Sequence, residues 1–393
     1  MSSTTFERRL VVSMSAVVFL DTLFYAVIAP LLPTLVHELH LTKAAAGLLT
    51  ASYPIGTLAG SLPGGLLAAR AGPRATVLAG LTLLTVSTTA FAFLASSALL
   101  DAARFVEGVG GACSWAGAIA WVSAEGSPSR RGALIGSVLA GAIGGAVFGP
   151  VLGVLASAAG RATVFSLVGG AAAVLMLIAA RLPSAHVPGI RSSAAALRRA
   201  LGDRSLTLGA WLVAVPAGVS GIITVLAPLR LHALGAGAPA IGATFLIAAA
   251  GEALVSRPVG ALSDRRGRRT PLRFGLATTA CLLVLLGLSD GEIVFAGLVV
   301  LASAALGAFW APAMAMISDA AERISLDHGL GAALMNAAWA AGQMLGAGAG
   351  GALAGVGGDR LPIALGAAVC AGSLALIARP SRRARGAARR MPG

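Results

Sequence analysis

Twelve runs of apolar residues, each about long enough to cross a bilayer, take up nearly the whole chain. They fall at roughly 10–37, 44–68, 74–95, 98–123, 132–157, 161–180, 206–230, 239–262, 271–288, 292–317, 329–355 and 361–378. A membrane-spanning helix needs about 20 such residues. In lipid the backbone must satisfy its own hydrogen bonds, so runs of this kind become helices. Composition agrees: 57% of the 393 residues are hydrophobic, 11% are charged, and the mean hydropathy is +0.88. Soluble domains carry about a quarter charged residues. These figures exclude soluble globular, disordered, collagenous and disulfide-scaffold classes.

A formal charge of +14 raises the question of a nucleic-acid partner. Most of the basic residues, all arginines except Lys43, lie between apolar runs or in the C-terminal tail. That distribution follows the positive-inside rule and not a phosphate-binding face, so no nucleic acid is expected. With the N-terminus inside, the cytoplasmic segments collect Arg8, Arg9, Arg70, Arg74, Arg130, Arg131, Arg265 to Arg269 and Arg323. Lys43, Arg161, Arg230 and Arg360 remain outside. Both termini are therefore expected in the cytoplasm. Cys113, Cys281 and Cys370 lie in apolar runs without paired spacing, which implies neither a disulfide framework nor a metal site. The first apolar run is long, contains Asp21 and offers no small-residue cleavage site, so it is expected to stay as a span and not to be removed as a signal peptide.

One long polar interruption, 182–204, divides the chain into a six-span unit at 1–181 and another at 205–379, followed by a basic tail at 380–393. A surface amphipathic helix or a solvated connector would both fit the interruption. The halves repeat. Gly65, Arg70, Gly72 and Arg74 recur 195 residues later as Gly260, Arg265, Gly267 and Arg269. Glu125, Gly132, Gly145, Gly149 and Gly153 recur 197 residues later as Glu322, Gly329, Gly342, Gly346 and Gly350. Two runs at nearly one offset indicate a duplicated six-span unit, the plan on which many transporters are built, with the substrate site between the repeats near the midplane.

The segment Gly260-Ala261-Leu262-Ser263-Asp264-Arg265-Arg266-Gly267-Arg268-Arg269 joins a tight glycine turn to charges able to lock neighbouring helix ends. It resembles motif A of the major facilitator superfamily. The first-half copy has Ala69 where the family carries its gating aspartate, so the resemblance implies that Asp264 bears more of that role. Arg104, Gly108, Gly110 and Gly111 resemble the family's motif B. Gly145, Gly149, Pro150 and Gly153 form a small-residue stripe with a helix-bending proline, and their order resembles motif C, the antiporter signature of the drug:proton exchangers. The first run, with Asp21, Tyr25, Pro30 and Pro33, is similar to the first span of the twelve-span drug:proton antiporters. The resemblance implies an all-α membrane protein of twelve transmembrane helices, in two six-helix bundles related by pseudo-twofold symmetry.

Coupled transport requires a group that gains and loses a proton as access alternates. Asp21, about 18 Å into its helix at 1.5 Å per residue, is the candidate, with Arg104 as its partner and Glu252 as a second proton or cation site. Ionisable groups inside a span are functional by default; for Asp21 the bland alternative is helix bonding. Arg104, Glu107, Gly108, Gly111 and Trp115 share one helical face. Tyr25, Glu107 and Trp115 are candidate substrate contacts, although Glu107 would also neutralise Arg104. Asn336 and Gln343, seven residues apart, either line the cavity or bond helices together.

The expected activity is proton-coupled efflux of small amphiphilic or drug-like molecules by alternating access, in a monomer, with no cofactor beyond the proton gradient. A metabolite or sugar carrier is the rival, but one Asn and one Gln in the whole chain suit sugar binding poorly. A receptor or scaffold on the same fold is the alternative outside transport. No enzyme is expected: His37-Glu38-Leu39-His40 lacks the zinc spacing, and the single lysine does not sit in a nucleotide-binding loop. An arginine-rich, nearly lysine-free chain fits a GC-rich bacterial genome and hence an inner membrane.

Overall fold

The computed structural model describes residues 3–125, 130–183, 198, 202–324 and 328–378. The expected connector and the basic tail lie almost wholly outside them. The described chain forms thirteen helices: α1 (Ser3–Ala26), α2 (Ile28–Leu39), α3 (Lys43–Ala71), α4 (Pro73–Phe93), α5 (Ser97–Glu125), α6 (Arg131–Ala159), α7 (Arg161–Arg181), α8 (Arg204–Ala233), α9 (Ala238–Arg266), α10 (Arg269–Leu288), α11 (Glu292–Arg323), α12 (His328–Gly357) and α13 (Arg360–Ala378). Each apolar run forms its own helix, to within two residues at the ends, except the first, which is split into α1 and α2 at Val27. The cause is local. Pro30 has no N–H for the carbonyl one turn earlier, so the helix ends at Ala26 and restarts. With α1 and α2 counted as one broken span, twelve result. Ten of the helices are long and apolar enough to cross a membrane by length and composition.

Large apolar side chains point outward along these helices: Leu167 is 70% exposed, Leu254 75% and Phe274 71%. Such surfaces need a lipid solvent, in keeping with a multi-pass membrane protein. Between helices the core is filled by Val17, Phe24, Leu81, Trp121, Phe309 and their neighbours.

Within the first half α3 packs on α5, α1 on α6, and α4 on α5 and α7. Within the second, α8 packs on α12, α9 on α11, and α10 on α13. The halves meet chiefly through α3 against α12 and α6 against α9. The glycine stripe of α6 makes the packing of α1 on α6 possible. A Cβ on Gly145 would strike the Phe19 carbonyl, and one on Gly153 the Val27 carbonyl. Its repeat partners do the same on α12, where Gly342 and Gly346 lie on the backbone carbonyls of Ala214 and Gly218 in α8. Close backbone approach of this kind is how small residues hold helices together in lipid.

Other duplicated details follow the same symmetry. Gly72 and Gly267 both turn the chain with positive φ, +90° and +81°, a conformation that costs glycine nothing. Arg74 donates to the carbonyl of Ala180, and Arg273 donates to that of Ile377 at 2.9 Å. Each arginine thereby caps the end of the last helix of its half. A hydroxyl bonds a glycine carbonyl 51 residues on in each half, Thr57 to Gly108 at 3.4 Å and Ser256 to Gly307 at 3.1 Å.

Lys43 pairs with Asp359 at 2.6 Å across the two halves, while Arg230 and Arg360 flank Asp290. These ends form what is termed here the Lys43 face. There Gly47 and Gly351 bring α3 and α12 into backbone contact. Arg70, Arg268 and Arg323 mark the opposite, Arg70 face.

Candidate functional site

Breaking the first span leaves the last carbonyls of α1 without the bonds a continuous helix would give them. Arg104 of α5 fills that need. Its Nη1 donates to the Phe24 carbonyl at 2.9 Å and to both carboxylate oxygens of Glu107 at 3.1 Å. Its guanidinium also stands 5.1 Å from the centre of the Tyr53 ring, a cation–π arrangement. Arg104 is 1% exposed and Glu107 3%, so the pair is fully withdrawn from solvent. Breaking it would leave an uncompensated charge in the bundle.

Asp21 lies beside this pair but is not bonded to it. One oxygen accepts from the Tyr53 hydroxyl at 2.9 Å and the other from the Trp115 indole at 2.9 Å. Both oxygens of the carboxylate therefore have a neutral donor, while Arg104 and Glu107 act on it only through their fields. The space it occupies exists because residue 111 is glycine: a Cβ there would run into Asp21 and the Tyr53 hydroxyl. Asp21 itself is 1% exposed.

Tyr25, one turn further along α1, reaches out of the first half. Gln343 of α12 donates to its hydroxyl, and its ring lies 5.3 Å from Tyr53 and 5.4 Å edge-on from Trp339. Glu252 of α9 accepts from the Trp310 indole of α11. Asn336, two turns before Gln343, donates to Ser61 of α3 at 3.2 Å. Both amides thus bond the halves together along α12.

Of the residues singled out in the sequence, Asp21, Arg104, Glu107 and Trp115 form one cluster inside the first half, Glu252 bonds within the second, and Tyr25 with Gln343, and Asn336 with Ser61, join the halves. Arg104 takes Glu107 as its bonded partner in place of Asp21. Glu107 has the neutralising role, with both oxygens on Arg104. The motif C glycines and Pro150 contribute packing and touch none of these groups. In the motif A segments, Arg268 makes an ion pair with Asp319. Asp264, Arg265 and Arg269 are exposed, and among the described residues no ion pair is formed by Asp264.

Tyr53, Trp310 and Ser61 complete the network. In the sequence Tyr53 and Trp310 are aromatic residues inside apolar runs, and Ser61 stands in one without any mark of its own. Trp310 carried a signal, since it stands 195 residues after Trp115, the offset of the motif A repeat. A separate cavity of about 390 Å³ opens at the Lys43 face, lined by Lys43, Arg230, Ser289, Asp359 and Arg360 among others, and contains none of the candidate residues. Among the described residues no group of three or more His, Cys, Asp or Glu is placed to hold a metal ion.

Comparison with known proteins gives a consistent family. The Major Facilitator Superfamily profile matches residues 14–230 and 210–391. An MFS-type transporter, ppzB, of Metarhizium majus (strain ARSEF 297) is 33% identical over 156 residues, covering 38% of this chain and 34% of that protein. Its counterpart in Metarhizium rileyi (strain RCEF 4871) is 32% identical over 128 residues, 31% of this chain and 26% of the other. The alignments thus span about a third or less of these curated relatives. The crystal structure of a bacterial homolog to the human lysosomal transporter Spinster, in an inward-facing and unoccupied conformation, superposes with a TM-score of 0.76 at 16% identity. It covers 95% of this chain and 96% of that one, a likeness of fold.

Proposed function

Because the chain belongs to the major facilitator superfamily of membrane transporters, we propose that it is a proton-coupled exporter of small amphiphilic molecules, working by alternating access between its two six-span halves. The observation that carries this reading is the Asp21 carboxylate: buried inside the bundle, held by two neutral donors, and set beside the closed Arg104–Glu107 pair. The proton state of a buried carboxylate without a bonded cation is set by its surroundings, so it can change as those surroundings change with alternating access. Glu107 keeps Arg104 engaged, so Asp21 is free to change state.

Tyr25 links that carboxylate's neighbourhood to the second half, through Gln343 and the ring of Trp339. A change at Asp21 is thereby felt where the halves meet. The protein is taken to work as a monomer in a bacterial inner membrane with the Arg70 face cytoplasmic, as the arginine distribution favours. It performs no chemistry on its cargo. Sugar transport is disfavoured because the chain has a single Asn and a single Gln, and the amide nitrogens of both donate to groups of the other half.

The test uses everted membrane vesicles carrying an imposed pH gradient reported by a fluorescent dye. Lipophilic cations, neutral antibiotics and sugars are added in turn. Gradient loss with amphiphilic compounds alone supports the reading; gradient loss with sugars alone would replace it with a sugar carrier.

A further inference from the structure

The cavity of about 390 Å³ at the Lys43 face has a divided wall. Its buried part is apolar: Leu226 of α8, Leu286 of α10, Phe295 of α11 and Ile363 of α13, each at most 4% exposed. Its exposed part is cationic. The side chain of Arg230 is 32% exposed, that of Lys43 40% and that of Arg360 70%. Helix starts (α3, α11, α13) and helix ends (α8, α10, α12) both meet around it, so their dipoles offset one another and the side chains set the sign.

These three cations have two acids between them. Asp359 takes Lys43 at 2.6 Å, while Asp290 takes Arg230 at 2.6 Å and stands 3.6 Å from Arg360, beyond hydrogen-bond length. Glu292, at the start of α11, does not line the cavity. One positive charge is therefore in excess, and it is centred on Arg360. Lys43 spends one of its three N–H donors on Asp359 and keeps two. The Ser289 hydroxyl, also in the wall, is withdrawn from solvent and has no hydrogen-bond partner among the described residues. The lining disfavours other ligands. A cation meets the excess charge, a metal ion meets one carboxylate already held by Lys43, and a sugar meets a single hydroxyl and no amide.

We propose that this cavity binds a small organic anion, with its apolar body against Leu226, Leu286, Phe295 and Ile363 and its sulfonate or carboxylate between Lys43 and Arg360. The volume lies in the range of small-molecule sites, roughly 300–1,000 Å³. Lys43 belongs to the first half and the rest of the wall to the second, so the site is complete only where the halves touch at this face. It is separate from Asp21 and goes beyond the transport reading, on which it does not depend.

The test is equilibrium dialysis of the purified full chain in lipid nanodiscs, against empty nanodiscs, with two probes of one shape: naphthalene-2-sulfonate, a permanent anion, and naphthalene-2-sulfonamide, which is neutral. The wild type should bind the sulfonate at least about tenfold more tightly. Arg360→Gln and Lys43→Gln should each weaken sulfonate binding by roughly three- to tenfold, as loss of a half-exposed charge-assisted bond does. Both should leave the sulfonamide unchanged, which also reports that the cavity is still formed. Arg360→Lys, which keeps the charge, should recover part of the loss. Inorganic sulfate, which cannot use the apolar wall, should displace the sulfonate poorly. Unaltered sulfonate binding in either glutamine variant would overturn the proposal, as would equal loss of both probes or a wild type that does not distinguish them. Displacement by sulfate as effective as by unlabelled sulfonate would also overturn it, by reducing the site to a patch of charge. No pH gradient is present, so neither result bears on proton coupling.

Discussion

Trp310 stands 195 residues after Trp115, and each indole donates its N–H to a carboxylate inside the bundle, Trp115 to Asp21 and Trp310 to Glu252. The carboxylates themselves are not repeat partners: Asp21 comes from the first span, Glu252 from the eighth. Duplication supplied the indole twice, and the two halves then placed different acids against it. One acid became enclosed beside an arginine, and the other stayed half-open and alone.

The enclosure of Asp21 depends on Gly111 and Tyr53. Gly111→Ala puts a methyl group where the Asp21 oxygen and the Tyr53 hydroxyl now meet. Gradient-driven transport should fall at least about tenfold, the loss of one charge-assisted hydrogen bond or more. Tyr53→Phe, which removes one donor without adding volume, should lower it less. The readout is initial rate in vesicles at matched expression; unchanged rates in both variants would show that this bonding does not tune Asp21.

Packing of the second half rests on Gly346, whose Cα lies against the Gly218 carbonyl. Gly346→Val forces α8 and α12 apart and should cost about 1–3 kcal/mol or more. Gly355→Val, on the same helix where nothing lies within reach of a Cβ, should be close to neutral. Thermal unfolding of the purified protein in detergent, followed by tryptophan fluorescence, compares the two.

Lys43 and Asp359 join the halves at one face. Lys43 is 40% exposed and Asp359 21%, so as an ion pair the contact contributes little stability. Its value is as a reporter of closure. In a background without Cys113, Cys281 and Cys370, Lys43→Cys with Asp359→Cys should be joined by a short bifunctional thiol reagent. Transport should then stop and resume when the link is reduced. Full transport by the linked protein would show that this face does not open.

Asp203 caps α8, accepting N–H bonds from Leu206 and Ser205 at 2.9 Å with Arg323 nearby. These contacts, the Leu206 N–H first, hold its carboxyl below the ordinary value of 3.8. A lowered folded-state pKa means that the unfolded chain takes up the proton first as pH falls. The cap's contribution is therefore present above the ordinary value and is lost as pH drops through the lowered one. The melting-temperature gap between wild type and Asp203→Ala should be widest near about pH 6 and shrink in the acidic carboxylate range.

Much of the fold was legible because membrane solvent writes a coarse code. All twelve apolar runs became helices, and the repeat reappeared in Gly72 with Gly267 and in the two glycine stripes. The break at Val27 was foreshadowed by Pro30, but its consequence was not. The Phe24 carbonyl that Arg104 takes up, and so a structural reason for that arginine, appears only in three dimensions. Glu107 could be read as Arg104's partner because i, i+3 neighbours share a helix face. Tyr53 could not be assigned to Asp21, because the two lie 32 residues apart on different helices and nothing local links them. The motif A arginines show the limit of reading by spacing: Arg269 aligns with Arg74, yet Arg273 makes the equivalent capping bond, one turn further along.

The central claim is that Asp21 couples the proton to transport without being needed to bind or move the cargo. Purified wild type and Asp21→Asn, reconstituted in liposomes, separate these steps when tetraphenylphosphonium is followed both in gradient-driven accumulation and in exchange against internal phosphonium without a gradient. The account predicts that Asp21→Asn loses accumulation and keeps exchange. Accumulation at the wild-type rate in Asp21→Asn would contradict it.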